Sequence, residues 1–545
     1  MPDKKSEPRI LSGVLVLTFS NILVKLLGLF FKIPLHAFLG DQGMGYFNIA
    51  YNIFVTLYMV STAGLPIAIS ILVSRSRTLG RKREVRRIFY SALSVFLLLG
   101  VIGTSIMIFG AAPLAEWMGS PNSYHCIMTV APTLFFICIS SAIRGYFQGH
   151  QNMVPTATSE VIEAIGKFAI GIALGKYAIS KGYSLEIAAA YAIAGIGIGV
   201  AAGMIYLTAA KIIRGRDRDE ISGINDETCS SRKSILRQLI SIAIPITISA
   251  VALNLTGIID SFTIINRMSG YITTEEAEAA YGNYSTLAVT LSHLPSALIT
   301  PIASALTPAL ASAGASGQRE RGQSIMNTAI KFAATISIPC AMGLSVLSKP
   351  ILNLLFNRSG TKGASVASAA PLLSVLALSV FFTAMLSVSN SILQSHKLER
   401  KPIISMFCGA GVKLILNFVL IGIPSIGVLG APIGTLVSYF VMAAMNFYFV
   451  GKYLHLDLRV IRSFGKPILS TALAAVVTVF SYLILSKHLS DTLATLLSIL
   501  LTVIAYLVFL IVTKTIRSQE LRMLPYGDKI IRVLTKLHIM KEKIQ

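Results

Sequence analysis

The sequence predicts an all-α integral membrane protein of about fourteen transmembrane helices, in two parallel six-helix lobes around a central cavity, plus two extra C-terminal helices. Three observations carry that expectation. Apolar runs long enough to cross a hydrocarbon core of roughly 30 Å as helices recur along the whole chain. Of the 545 residues, 54% are hydrophobic and only 13% charged, with a mean hydropathy of +0.72, outside the range of soluble globular proteins. The order of motifs in the first half also returns in the second.

The apolar runs fall at 10–35, 45–73, 88–110, 124–146, 156–178, 187–211, 237–266, 282–310, 326–348, 366–393, 402–423, 430–451, 467–487 and 493–513. The first follows MPDKKSEPR and imitates a secretory signal. It is too long for one, contains Lys25 and Lys32, and lacks an A-x-A cleavage site, so it reads as an uncleaved first span.

A formal net charge of +23 raises the question of nucleic acid binding. The distribution of the charge answers it. With the N-terminus in the cytoplasm, the basic clusters Arg75, Arg77, Arg81, Lys82, Arg83, Arg86 and Arg87, then Lys211, Arg214, Arg216 and Arg218, and the C-terminal tail all fall on the inner side. Few basic residues fall in the outer loops, which is the positive-inside pattern of a multi-pass protein with both termini cytoplasmic. Those clusters attract anionic lipid, and nucleic acid is not expected as a partner. The five cysteines are scattered, with no C-x-x-C spacing, so neither a disulfide framework nor a metal site is indicated.

The duplication is legible in short echoes. GLPIAISILVSRSRTLGRKREVRRI is answered by ITPIASALTPALASAGASGQRERGQSI, and APTLFF at 131–136 by APLLSV at 370–375. Gln148, His150, Pro155 and Lys167 are answered by Gln394, His396, Pro402 and Lys413, with nineteen residues from Gln to Lys in both copies. Several echoes in one order argue for two six-span halves of the same orientation. Such repeats suit a transporter in which one half rocks on the other. The expected divisions are an N-terminal lobe at 1–212, a cytoplasmic linker at 213–236, a C-terminal lobe at 237–452, spans 13 and 14 at 453–514, and a cytoplasmic basic tail at 515–545.

A charge at the centre of a membrane helix costs roughly 2.5 to 3.5 kcal/mol on insertion scales, so each one needs a partner or a wet cavity. Lys25 and Lys32 lie two turns apart on one face of the first span, and Asn48 and Asn52 mark a polar stripe on the second. Glu160, Glu163 and Lys167 share a face of the fifth span, with Glu163 four residues before Lys167 in the favourable order for an ion pair. Lys413 and Asn417 repeat the arrangement on the eleventh span, and Asn254 and Asp260 lie on the seventh. Plainer readings stand beside these. Glu160 near a helix start suits the dipole there, Lys25 and Lys32 are long enough to snorkel, Lys167 and Lys413 fit structural ion pairs, and Asp260 fits a helix-end pair with Arg267. Gly195, Gly199 and Gly203, like Gly171 and Gly175, read as close-packing stripes.

No phosphate-binding loop, H-E-x-x-H or G-x-S-x-G motif occurs. The expectation is a secondary transporter, not an enzyme, without cofactor or metal, driven by the membrane potential or by an Na+ or H+ gradient. A cleft lined mainly by lysines suits an anionic cargo.

The stretches KLLGLFFKIPLHAFLGDQGMGYFNIAYNIF, STAGLPIAISILVS, RGYFQGHQNMVPTATSEVIEAIGKF and LSHLPSALITPIASALTPALAS resemble the stage V sporulation protein B and lipid II flippase-like branch of the multidrug/oligosaccharidyl-lipid/polysaccharide exporter superfamily. The likeness runs over residues 8 to 520. It implies two lobes in a V around a central cavity in a bacterial plasma membrane. The cargo it implies is an undecaprenyl-pyrophosphate-linked oligosaccharide, a peptidoglycan precursor moved from inner to outer leaflet for cell wall or spore cortex, with cell-wall synthesis proteins as partners. Basic residues of the first span line that cavity in lipid II flippases, and Lys25 and Lys32 occupy comparable positions. Unlike the Gram-negative flippases, this chain has no Lys or Arg inside its second or eighth span, and Lys167 and Lys413 are available to supply that charge. The expected substrate-binding residues are therefore Lys25, Lys32, Lys167, Lys413, Asn48, Asn52, Asn254 and Asn417, with Glu160, Glu163 and Asp260 as coupling or ion-pairing residues. The alternatives are a cation-coupled exporter of drugs or small molecules on the same fold, and a non-transporting membrane scaffold.

Overall fold

A computed structural model describes residues 7–216, 230–300, 302–303, 306, 310, 318–356, 363–396, 398–454 and 464–513. Most of the expected linker and all of the basic tail lie outside the described residues. Among the described residues every regular element is helical and there is no strand. The main helices are α1 (Glu7–Thr62), α2 (Leu65–Thr78), α3 (Lys82–Phe109), α4 (Ala111–Trp117), α5 (Tyr124–Gly149), α6 (Val154–Ser180), α7 (Leu185–Arg216), α8 (Arg232–Met268) and α9 (Thr274–Asn283). They continue as α10 (Arg319–Val346), α11 (Ser348–Phe356), α12 (Gly363–Ser395), α13 (Arg400–Ile421), α14 (Gly430–Leu454), α15 (Gly465–His488) and α16 (Asp491–Val512).

Eleven spans among the described residues are long and apolar enough to cross a membrane, so the chain is a multi-pass integral membrane protein. Three of the expected runs are not separate apolar spans, each for its own reason. The first two runs share α1, which is two helices joined at Gly40, where φ 65° and ψ −171° leave the helical region in a way that glycine tolerates. The fifth is α6, 27 residues long, and Glu160, Glu163, Lys167 and Lys176 make it too charged to count as an apolar stretch. The eighth opens in α9 and a π-helical turn at Tyr284–Val289, and beyond Thr300 it is described only in part.

The described residues pack as two compact units, one within 7–286 and 410–431, the other within 287–356, 363–409 and 432–513. In the first, α6 lies flat on α7 because its glycines leave no side chain between them. A β-carbon on Gly195 would come within 2.4 Å of the Gly171 backbone, and one on Gly199 within 2.7 Å of the Glu163 carbonyl. An apolar core of Ile69, Phe89, Phe96, Ile143, Phe147 and Leu239 joins α2, α3, α5 and α8. In the second unit, Ile330, Ala333, Val388, Ile392 and Val450 form a separate core from α10, α12 and α14. Large apolar side chains such as Phe480, Leu483, Leu500 and Leu507 stay exposed along α15 and α16, a surface for lipid tails to cover.

One echo between the halves recurs atom for atom. His150 bonds through Nδ1 to the carbonyl of Tyr146, and His396 through Nδ1 to that of Ile392, both at 2.9 Å and both four residues back.

Candidate functional site

Two charge networks are buried in the first unit. The first joins α5 and α6. Arg144 is buried in α5 and donates from Nη2 to Glu163 Oε1 and from Nε to Ser159 Oγ at 3.2 Å, while Glu160 lies within Coulombic reach of the same guanidinium. Gly203 on α7 makes room for this carboxylate, since a β-carbon there would come within 2.8 Å of Glu163 Oε1. The partner of Glu163 is thus Arg144 and not the expected Lys167. The guanidinium reaches across from the neighbouring helix, and its two-sided fit to Ser159 and Glu163 gives the stronger, charge-assisted bonds.

Lys167 turns the other way, toward α1. Its ammonium sits 5.1 Å from the ring centre of Phe31 and 4.8 Å from that of Tyr51, a pair of cation–π contacts. Lys32, one residue beyond Phe31, is half-buried and within Coulombic reach of Lys167. Lys25 is exposed on α1, two turns nearer the N-terminus.

The second network joins α8 and α13. Lys413 is 2% exposed and donates to Asp260 Oδ2 at 2.8 Å and to the Thr256 carbonyl at 2.9 Å. Asn417, one turn on, donates to Asp260 Oδ1 at 2.9 Å, and the Tyr284 hydroxyl donates to Oδ2 at 3.3 Å. Asp260 is thus fully partnered. The alternative pair of Asp260 with Arg267 does not form: Arg267 instead donates from Nε to the Phe418 carbonyl at 3.1 Å and stacks on the Phe418 ring.

The asparagines of the second span hydrogen-bond within this unit. Asn48 donates to Thr286 Oγ1 at 2.8 Å, and Asn52 to the Tyr281 hydroxyl at 2.7 Å and the Gly257 carbonyl at 3.3 Å. Asn254 bonds back to the Ala250 carbonyl of its own helix at 2.9 Å. Sequence reasoning missed Arg144, which falls near the end of an apolar run and reads as an interface charge. The available signal was the need of two acids on α6 for a cation at their own depth.

The fold and the buried charge pairs define a class, the multi-pass helical membrane proteins. A family model described as polysaccharide biosynthesis protein matches residues 10–313, and the chain belongs to that family. A second model, MatE, matches residues 245–419. The chain is 24% identical over 531 residues to stage V sporulation protein B of Bacillus subtilis, covering 96% of this chain and 98% of the relative. It is 26% identical over 466 residues to lipid II flippase MurJ of the same organism, covering 82% of this chain and 83% of the relative. Among solved structures it resembles lipid II flippase MurJ in an inward closed conformation, with a TM-score of 0.69 and 16% identity over 91% of this chain and 98% of that one. It also resembles an inward-facing multidrug resistance MATE family transporter of the MOP superfamily, with a TM-score of 0.67 and 17% identity over 80% of this chain and 94% of that one. The sporulation protein B and lipid II flippase branch of that exporter superfamily, read from the motifs, is where its relatives lie.

Proposed function

We propose that this protein is a flippase that carries an undecaprenyl-pyrophosphate-linked oligosaccharide, a peptidoglycan precursor, from the inner to the outer leaflet of a bacterial plasma membrane by alternating access. The observation that carries the reading is Lys167 held against Phe31 and Tyr51 within Coulombic reach of Lys32. Two ammonium groups in a low-dielectric setting repel one another and gain when a pyrophosphate dianion comes between them. The names of the relatives, lipid II flippase MurJ and stage V sporulation protein B, support the cargo class and a role in cell wall or spore cortex synthesis.

In this reading fourteen spans form two parallel six-helix lobes around a cavity, spans 13 and 14 flank them, and both termini are cytoplasmic. Lys25 collects the headgroup at the entrance, and Lys32 and Lys167 hold the pyrophosphate. Lys413 joins them only on release from Asp260, so the Asp260–Lys413 and Arg144–Glu163 pairs act as the coupling elements. The membrane potential or an Na+ or H+ gradient supplies the energy, and no catalytic step or cofactor is involved.

The test is rescue of a bacterium whose only lipid II flippase is shut off. Growth without precursor accumulation is expected with this chain, and accumulation with Lys167→Ala or Lys25→Ala. A well-expressed wild-type chain that leaves the precursor accumulating would overturn the cargo. The match of residues 245–419 to MatE favours the second reading, a cation-coupled exporter of small molecules, which dye extrusion from the same cells would reveal.

A further inference from the structure

Glu278 has no place in the mechanism above, yet among the described residues it is the most completely buried carboxylate of the first unit. It lies on α9, between the expected seventh and eighth spans, and is 0% exposed. Its Oε1 accepts a hydrogen bond from the Ser120 hydroxyl, Oε2 is buried without a partner in full hydrogen-bonding geometry, and the Tyr46 hydroxyl and Gln42 amide lie close enough to favour the charged form. Among the described residues it forms no ion pair.

The groups that face it are Tyr46 and Gln42 from α1, Ser120 from the turn before α5, and Glu275 from its own helix. The remaining titratable pair on this part of α1, His36 with Asp41 at 2.7 Å, is held by Asn283, which donates to Asp41 Oδ1 at 3.2 Å. An ionised carboxylate without water or a cation is among the most costly groups to bury, and the usual outcome is that it takes up a proton. Burial accordingly raises the Glu278 carboxyl above the ordinary glutamate range, and the neighbouring Glu275 adds to the rise.

α1 and α9 meet backbone to backbone beside Glu278. A β-carbon on Gly45 of α1 would collide with the Glu278 carbonyl oxygen, and one on Gly282 of α9 with the Asp41 carbonyl oxygen, so the two backbones are in direct contact on either side of the carboxyl. A path for the proton is nevertheless present. A pocket of about 360 Å³ is lined by Glu116, Asn122, His125 and Glu186, and His125 and Asn122 are exposed. Asn122 in its wall donates to the Tyr46 hydroxyl at 3.3 Å, as does Gln42 at 2.7 Å, and Ser120 lies two residues before Asn122. Hydroxyl groups from Tyr46 and Ser120 therefore stand between the carboxyl and an open pocket that holds an imidazole.

We infer that Glu278 is a proton-binding latch: its neutral carboxyl keeps α9 packed on α1, and loss of its proton through Tyr46 and Ser120 to water in the His125 pocket frees α9 from α1. Only a proton moves, leaving a carboxylate that must be hydrated. The packed arrangement is favoured at low pH and lost as pH rises through the raised value of this group. Use of the latch to couple flipping to a proton gradient rests on the proposed function. The latch itself does not.

The chain contains a single tryptophan, Trp117, which stacks on Phe262 of α8 with ring centres 5.0 Å apart and lies three residues before Ser120. Its fluorescence in the purified full-length protein, titrated from about pH 4 to about pH 9, reads the latch directly. The wild type should show a transition above the ordinary glutamate range, retained in His125→Gln and Glu116→Gln and abolished in Glu278→Gln. An unchanged transition in Glu278→Gln, or none in the wild type, would overturn the inference. Should Glu278→Gln fail to fold, Ser120→Ala and Tyr46→Phe must each move the wild-type midpoint to higher pH, because each removes a hydroxyl that stabilises the carboxylate; an unmoved midpoint would sink the idea equally. A normal Trp117 transition in a chain that fails the rescue assay would leave the latch standing and remove the flippase reading alone.

Discussion

Arg144 and Glu163 are nineteen residues apart in sequence and come from adjacent helices, yet they meet as a buried ion pair with Gly203 of a third helix shaped around the carboxylate. Removing Arg144 strands two buried acids, and removing Glu163 leaves the buried guanidinium without its hydrogen-bonded carboxylate. Arg144→Ala or Glu163→Ala should each cost about 3 to 5 kcal/mol of stability, read as a lowered thermal midpoint in detergent. The joint replacement Arg144→Met with Glu163→Leu should recover most of that loss. If it were as unstable as the single variants, the charges would not be the source of the effect.

Asp260 and Lys413 invite the same experiment with a different expectation for function. Lys413→Ala strands a buried carboxylate and should destabilise by about 3 to 5 kcal/mol, whereas Asp260→Asn with Lys413→Met should fold close to normally. If this pair takes part in coupling, the double variant will be stable and fail to rescue flippase-depleted cells. Rescue by that variant would assign the pair to the fold alone.

Lys167 is held by two rings, so its replacement should be mild for the fold. Lys167→Ala should lose about 0.5 to 2 kcal/mol, the range for cation–π contacts, and still abolish rescue. A loss of stability as large as that of the Arg144 variants would show that Lys167 is structural.

The glycine seam between α6 and α7 gives a prediction that needs no functional assay. Gly195→Leu must push apart backbones that are already in contact, and overpacking of this kind typically costs about 1 to 3 kcal/mol. Thermal unfolding checks it against Gly343→Leu, where a β-carbon meets nothing within 4 Å. Equal effects at the two positions would contradict the packing described here.

Much of the helical layout was legible in the sequence because it depends on composition and run length. The break between the first two spans shows in FLGDQGMGYF, where Gly40 takes the positive φ. Partners were harder to read. The phase of α6 puts Glu163 and Lys167 on one stripe, but a stripe does not reveal which neighbour lies against it, and α5 and α1 lie on different sides of this one. Nearness in sequence offers Arg267 as a plain partner for Asp260, while the partner it has, Lys413, is 153 residues away. Glu278 was hidden for another reason. TEEAEAAYGN reads as a solvated acidic turn, and its first half is one, with Thr273 and Glu276 forming a reciprocal helix cap. Only the small or aromatic neighbours Ala277, Tyr281 and Gly282 mark the face that turns inward.

The two buried ion pairs have an electrical consequence. Each carries a plus and a minus within bonding distance, so a membrane voltage exerts almost no net force on either pair, however far its helix travels. Lys167 rests on Phe31 and Tyr51, and among the described residues it forms no salt bridge. An unbalanced charge gains or loses about 2.3 kcal/mol for each 100 mV it crosses. If the membrane voltage drives the proposed flipping, it therefore acts on the aromatic-held lysine of α6 and the neighbouring Lys32 far more than on the Asp260–Lys413 pair.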